Sequence, residues 1–337
     1  MDSLTHIVLG ACIGEAVAGK RLGKRAMFLG ALSQSIPDID FVAAFWKDTT
    51  GNLLAHRGFT HSLLFGLIAI VFFSLLAEHF HRKHRIGFKT WTLLFTLEIG
   101  AHLLLDLCNN YGMGLFEPFS HTRISFNTIY VADPFFSVVP AIAFTALLIL
   151  KRGDYKRKRW WVTGVVAPLF YIIYCVFNKI TIDTHTRYAL RQNNVPFTHY
   201  LTTPTPLNNW LWYTVAGDEK GYYVGYQSVF DLEGKINLTF FPRNDSLLQP
   251  VKDHEEVQKL LRFSQGFYTV EKWHDTLVFN DLRFGQIVGW HNPHEAFVFH
   301  YFLQHPGESN RLVVQRGRFA KWDKESIRSL YRKILGK

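Results

Sequence analysis

Long apolar runs alternating with short basic clusters constrain this chain more than any other feature. Residues 58–77, 90–108, 135–150 and 160–177 are almost uncharged. Clusters rich in Lys, Arg and His occupy 20–25, 81–89 and 151–159, between or beside those runs. A bilayer core needs about 20 apolar residues of helix to cross it, and the four runs come close to that length. Two earlier apolar pieces, 4–19 and 26–36, are shorter and are expected to pack inside a bundle or to dip partway into the membrane. Basic loops between spans stay on the cytoplasmic side. Applying that rule to the three clusters sends residues 37–61, 108–134 and 178–337 to the opposite face.

The overall hydrophobic content of 48% would suit a soluble protein, but it averages two unlike halves. Residues 178–337 are polar and aromatic, with strand-like alternation in 222–241, 267–279, 296–303 and 311–315, a turn at 232–235 and a basic amphipathic helix at 323–335. Residues 202–206 look like a linker, and 48–52 like a loop. The expected fold is therefore a membrane all-α helical bundle over 1–177, with about four strong spans plus two short N-terminal helices. A small β-rich or α+β domain follows over 178–337. The net charge of +10 is accounted for largely by the basic clusters, so no nucleic-acid partner is expected. The three cysteines, Cys12, Cys108 and Cys175, all lie in apolar segments without zinc-type spacing. Any metal site must be built from His and carboxylate.

Such residues are present, and at costly positions. His102 and Asp106 are four apart on one helical run, so they share a face; Glu98 lies one turn earlier on the same stripe. Ionisable groups inside a span are expensive and mark function by default. Glu98, the deepest, reads as a partner that orients an imidazole rather than as a ligand. Pro37-Asp38-Ile39-Asp40 projects two carboxylates from a helix-ending turn. His56-Arg57-Gly58-Phe59-Thr60-His61-Ser62 brackets an arginine suited to a phosphate or carboxylate between two histidines, with Thr60 or Ser62 as the cap of the next helix. His6 lies in the first turn of the first helix, and His121 and Arg123 in the loop after Asp106. The topology read from the basic clusters brings His6, Asp38, Asp40, His56, His61 and Asp106 to one membrane face, with His102 one turn deeper. No His-Glu-x-x-His, no phosphate-binding glycine loop with Lys-Ser/Thr and no Gly-x-Ser-x-Gly elbow occurs.

The motifs Met1-Asp2-Ser3-Leu4-Thr5-His6, Ile36-Pro37-Asp38-Ile39-Asp40, His56 to Ser62 and His102-Leu103-Leu104-Leu105-Asp106 resemble the bacterial membrane-bound metal-dependent hydrolase family, also called the YdjM family. The match is clear over roughly residues 1–135. That family is distantly similar to zinc-dependent phospholipase C and S1/P1 nuclease. The resemblance implies a metal set drawn from His6, Asp38, Asp40, His56, His61, His102 and Asp106. It implies one or two divalent ions, zinc being the expected metal. Asp38 or Asp40 would accept a proton, Arg57 would assist catalysis, and the substrate would be a phosphoester such as a phospholipid. The expected location is the inner membrane, multi-pass, with the metal site and the C-terminal domain extracytoplasmic and membrane lipid as a partner. The competing readings are a non-enzymatic membrane protein with a structural ion and a partner-binding tail, and a transporter. The lack of internal repeats disfavours the transporter.

Overall fold

A computed structural model of the chain describes residues 1–231, 236–303, 319 and 321–336. The chain divides into two compact units, Met1–Phe45 with Ala55–Cys175, and Trp46–Leu54 with Val176–Lys337.

The first unit is helical. Helix α1, Ser3–Leu22, starts where the Asp2 carboxylate accepts the Thr5 backbone N–H at 3.0 Å. It stops at Gly23, whose φ of +60° suits glycine, and α2, Lys24–Gln34, follows at once. The two helices approach so closely that a Cβ on Gly10 would lie 2.7 Å from Gly30 O. Pro37 ends this hairpin and begins a 3-10 stretch, Pro37–Phe45. After a second 3-10 turn, Phe59–His61, helix α4, Leu63–Phe80, is capped by Ser62 Oγ, which accepts Phe65 N–H at 3.1 Å. Helix α3, Thr49–Ala55, lies between the two 3-10 stretches in sequence but belongs, except for Ala55, to the second unit. It occupies the stretch expected as a loop, because Asp48 accepts from Gly51 N and Thr50 Oγ1 and closes a helical turn.

Helix α5, Phe88–Leu107, carries Glu98, His102 and Asp106, all fully buried. Helix α6, Pro134–Ile149, is capped by Asp133, and α7, Lys156–Gln192, runs on well past the expected end at residue 177. Among the described residues three helices are long and apolar enough to cross a membrane: α4, α5 and α7. The fourth expected span falls short, because α6 has 16 residues and so rises only about 24 Å. Leu67, Phe72 and Phe170 are more than half exposed and form the apolar outer surface of α4 and α7. Trp91, in the first turn of α5, points into the bundle. It is fully buried, packed with Ala18, Leu22, Ala26 and Phe95.

The basic clusters meet at one end of this unit. Arg21 Nη1 donates to Arg85 O at 2.9 Å and Ile86 O at 2.7 Å, and Arg152 Nη2 donates to Arg21 O at 2.8 Å. Arg157 differs from its neighbours. It is buried and forks onto Glu15 with two bonds of 2.7 Å, while its Nη1 caps the end of α6 through Leu147 O and Leu150 O. This pairing is what tolerates Glu15 in an otherwise apolar helix.

The second unit contains two antiparallel sheets. The first has the order β1-β2-β3-β4, formed by His199–Pro204, Leu211–Gly217, Gly221–Ser228 and Leu238–Pro242. The second has the order β5-β6-β7, formed by Tyr268–Trp273, Thr276–Gln286 and Phe297–Phe302. Tyr213, Val215, Tyr222, Val224, Leu282 and Phe297 pack between them. Helices α8, Glu255–Ser264, and α9, Lys324–Ile334, complete the unit. The expected linker at 202–206 is largely the buried strand β1, and the expected single strand 267–279 is a hairpin turning at His274, whose φ is +55°. The expected turn at 232–235 and strand at 311–315 lie outside the described residues.

Candidate metal centre

Four residues from three parts of the first unit converge. Asp38 comes from the 3-10 stretch after Pro37, His61 from the turn before α4, and His102 and Asp106 from adjacent turns of α5. Each offers one ligand atom, and these atoms all lie within 4.8 Å of one another. The Nε2 atoms of His61 and His102 are 3.2 Å apart. Asp38 Oδ1 lies 3.6 Å from both, and Asp106 Oδ2 lies 3.3 Å from His61 Nε2 and 3.7 Å from His102 Nε2. His61, His102 and Asp106 are fully buried; the Asp38 side chain is 23% exposed and gives the cluster its open side.

Both imidazoles are held from behind. His102 Nδ1 sits 2.6 Å from the backbone carbonyl of Gln34, which fixes a proton on Nδ1 and leaves Nε2 bare toward the cluster. Thus Gln34 orients this ring, and Glu98, the expected partner, does not. His61 Nδ1 faces Asp40 Oδ2 at 3.4 Å and Thr60 Oγ1 at 3.1 Å. Burial disfavours a charged His61, but hydrogen bonding to Asp106 and Asp38 outweighs it and raises its pKa. The carboxylates therefore favour a positive charge here, a proton or a metal ion alike. Two imidazoles and two carboxylates are a donor set that zinc and related ions accept.

The remaining sequence candidates surround these four. Asp40 Oδ2 accepts the Arg57 backbone N–H at 2.6 Å and Oδ1 lies 3.2 Å from His56 Nδ1, so Asp40 acts behind His61 and His56 lies further out. Burial opposes ionisation of Asp40, yet its bonds and charge contacts with His56, His61 and Arg57 prevail and hold its pKa below the ordinary value. His6 stacks on His102 with ring centroids 3.9 Å apart and places Nε2 3.4 Å from Asp106 Oδ1. It borders the four-atom set without joining it.

Arg57 is not free to clamp a substrate. Its Nε pairs with Asp106 Oδ2 at 2.9 Å, Nη1 donates to Asn109 Oδ1 at 2.6 Å and Nη2 to Met1 O at 3.3 Å. Its φ of +57° is unusual for a residue with a side chain, and this turn lets one residue reach Asp40 and Asp106 at once. The Met1 ammonium contacts the other oxygen of Asp106. Arg123 is 6% exposed and holds the loop through His56 O and Gly112 O, both at 2.8 Å. His121 is exposed and lies 3.5 Å from Glu117. Gln34 and Asn109 were not legible as site residues. Gln34 acts through its backbone, and Asn109 had only its place three residues after Asp106 to mark it.

The model of the YdjM inner membrane protein family matches residues 1–182, more than half of the chain and all of this cluster. The chain belongs to that family. Family membership and the apolar helices place it in the inner membrane. Among curated relatives it is 30% identical over 112 residues to Inner membrane protein YbcI of Escherichia coli (strain K12), covering 33% of this chain and 63% of that protein. It is 27% identical over 176 residues to Uncharacterized protein YfhP of Bacillus subtilis (strain 168), covering 46% of this chain and 53% of that protein. The chain thus spans less than two thirds of either relative. No solved structure matches it.

Proposed function

We propose that this YdjM family member is a membrane-bound, metal-dependent hydrolase of a phosphoester carried by an amphiphile such as a phospholipid. The observation that carries the reading is the convergence of Asp38, His61, His102 and Asp106 on one point inside a membrane protein. These four residues would hold a divalent ion, zinc by donor type. Such an ion would acidify water and offset charge developing on a phosphoryl oxygen. Asp38, on the open side, is the carboxylate placed to take a proton. Asp40 keeps the His61 ring in position, and Arg57 fixes Asp106 and neutralises part of its charge. An apolar cavity of about 350 Å³ supports an amphiphilic substrate. It is lined by Leu9, Ile13, Leu104, Leu105, Trp161 and Leu169, on a different face of α5 from His102 and Asp106, and so would take an acyl chain rather than the phosphoester.

The proposed orientation puts the site at the extracytoplasmic face. His6 begins α1 and Asp106 ends α5, whereas the basic clusters meet at the other ends of the same two helices. With those clusters in the cytoplasm, the polar residues that follow α7 emerge extracytoplasmically.

One observation favours the non-enzymatic alternative, in which the ion is structural: three of the four ligands are fully buried, and structural zinc sites are closed. A screen of phosphodiesters and phospholipids with detergent-purified protein, with and without chelator, decides between them. Chelator-sensitive product release, lost in His102→Ala, is the expected result. Bound metal with no turnover of any substrate would sink the hydrolase and leave the structural ion.

A further inference from the structure

Glu98 lies one turn deeper than the metal centre and takes no part in it. It is fully buried, and neither carboxyl oxygen has a hydrogen-bond partner. The Gln34 carboxamide is likewise fully buried with both Oε1 and Nε2 unpartnered. Both side chains reach the crossing of α1 and α2, Glu98 beside Gly30 and Gln34 beside Gly10. A Cβ on Gly30 would lie 2.7 Å from Glu98 Oε1 and closer still to Gly10 O; one on Gly10 would lie 2.9 Å from Gln34 Oε1 and 2.7 Å from Gly30 O. Glycine at both positions is what leaves room for these oxygens.

The chemistry of this crossing differs from that of the metal centre. The donors are a carboxylate, a carboxamide oxygen and two helix carbonyls, with no imidazole among them. All-oxygen sets select hard cations. A single carboxylate in apolar surroundings is balanced by a single positive charge, whereas a divalent ion would leave a net charge buried. A proton on Glu98 is the competing occupant, its O–H donating to Gln34 Oε1, and it differs from a metal cation in leaving no dependence on sodium. We propose that Glu98, Gln34 Oε1 and the carbonyls of Gly10 and Gly30 bind a small monovalent cation, sodium, within the bundle. Gln34 links this site to the metal centre, since its backbone carbonyl holds His102 Nδ1. Sodium occupancy would therefore steady the His102 ring.

The test uses full-length protein in detergent, stripped of divalent metal by chelator, so that it does not depend on the hydrolase reading. Equilibrium binding of radioactive sodium is measured in choline chloride, along with the thermal midpoint in sodium against equimolar choline. The expected result is saturable sodium binding and a higher midpoint in sodium. Glu98→Gln should lose both while remaining monodisperse. Gln34→Met, which keeps the shape and removes the oxygen, should weaken sodium binding about tenfold, the equivalent of about 1.4 kcal/mol. Absence of saturable binding to the wild-type protein, or undiminished binding by Glu98→Gln, would overturn the proposal. So would a midpoint that responds to pH alone and not to sodium, which would assign a proton to Glu98.

Discussion

The Nε2 atoms of His61 and His102 face each other across 3.2 Å, although 41 residues separate them in sequence. Each ring has its Nδ1 engaged elsewhere, His61 toward Asp40 and His102 toward Gln34 O, so the two bare nitrogens point at one place. Two lone pairs at that separation repel unless a proton or a metal ion lies between them. His102→Ala and Asp106→Ala should therefore each remove bound divalent metal from the purified protein, as read by elemental analysis. Unchanged metal stoichiometry in either variant would rule out the centre.

Asp40 should matter through His61 rather than by touching the ion. Partners of this kind typically tune metal affinity 10–100-fold. Asp40→Asn is expected to weaken metal binding within about that range in a competition titration against a chromophoric chelator, and His56→Gln to weaken it less. Complete loss of metal in Asp40→Asn, equal to that in Asp106→Ala, would make Asp40 a ligand instead.

The same carboxyl gives a pH dependence. Its pKa is held below the ordinary 3.8, mainly against its own burial and by the bond with His56. A carboxyl depressed by folding contributes stability in full above its unfolded-state value, and that stability is lost as pH falls through the folded-state value. Thermal melts of chelated protein should thus decline from about pH 4 downward, and Asp40→Asn should decline less steeply over that window. Parallel profiles would show that Asp40 contributes nothing to acid stability.

The Glu15–Arg157 pair predicts a stability effect far from the site. Removing one member of a buried pair leaves the other charge uncompensated, at a cost of about 3–5 kcal/mol. Glu15→Ala should lower the thermal midpoint strongly, and Glu15→Ala with Arg157→Leu should recover part of the loss. Equal melting of wild type and Glu15→Ala would mean the pair is solvated.

Topology can be checked with single cysteines, because the native Cys12, Cys108 and Cys175 are all buried. Lys83 and His121 are both exposed, Lys83 at the basic end and His121 in the loop that follows the site. In intact spheroplasts an impermeant maleimide should label His121→Cys and spare Lys83→Cys. The opposite pattern would turn the proposed site to face the cytoplasm.

The sequence alone determined the helical, membrane-embedded first half and the strand-rich second half, because apolar run length and alternation are local properties. It also determined which residues are chemically capable of holding a metal, since ionisable groups are seldom left in apolar helices without cause. A cap at Thr60 or Ser62 and the pairing of His102 with Asp106 on one helix face were legible for the same local reason, and the structure chose Ser62. Long-range packing decided the rest. It separated Asp38, His61, His102 and Asp106 from Asp40, His56 and His6, which carry the same chemistry but stand a few ångströms away. It also turned Arg57 onto Asp106, made a backbone carbonyl of Gln34 the support for His102, and hid Trp91 and Glu15 inside the bundle. Spacing along the chain records which groups are available, whereas distances between helices, set here by glycine contacts such as Gly10 on Gly30, fix which of them meet.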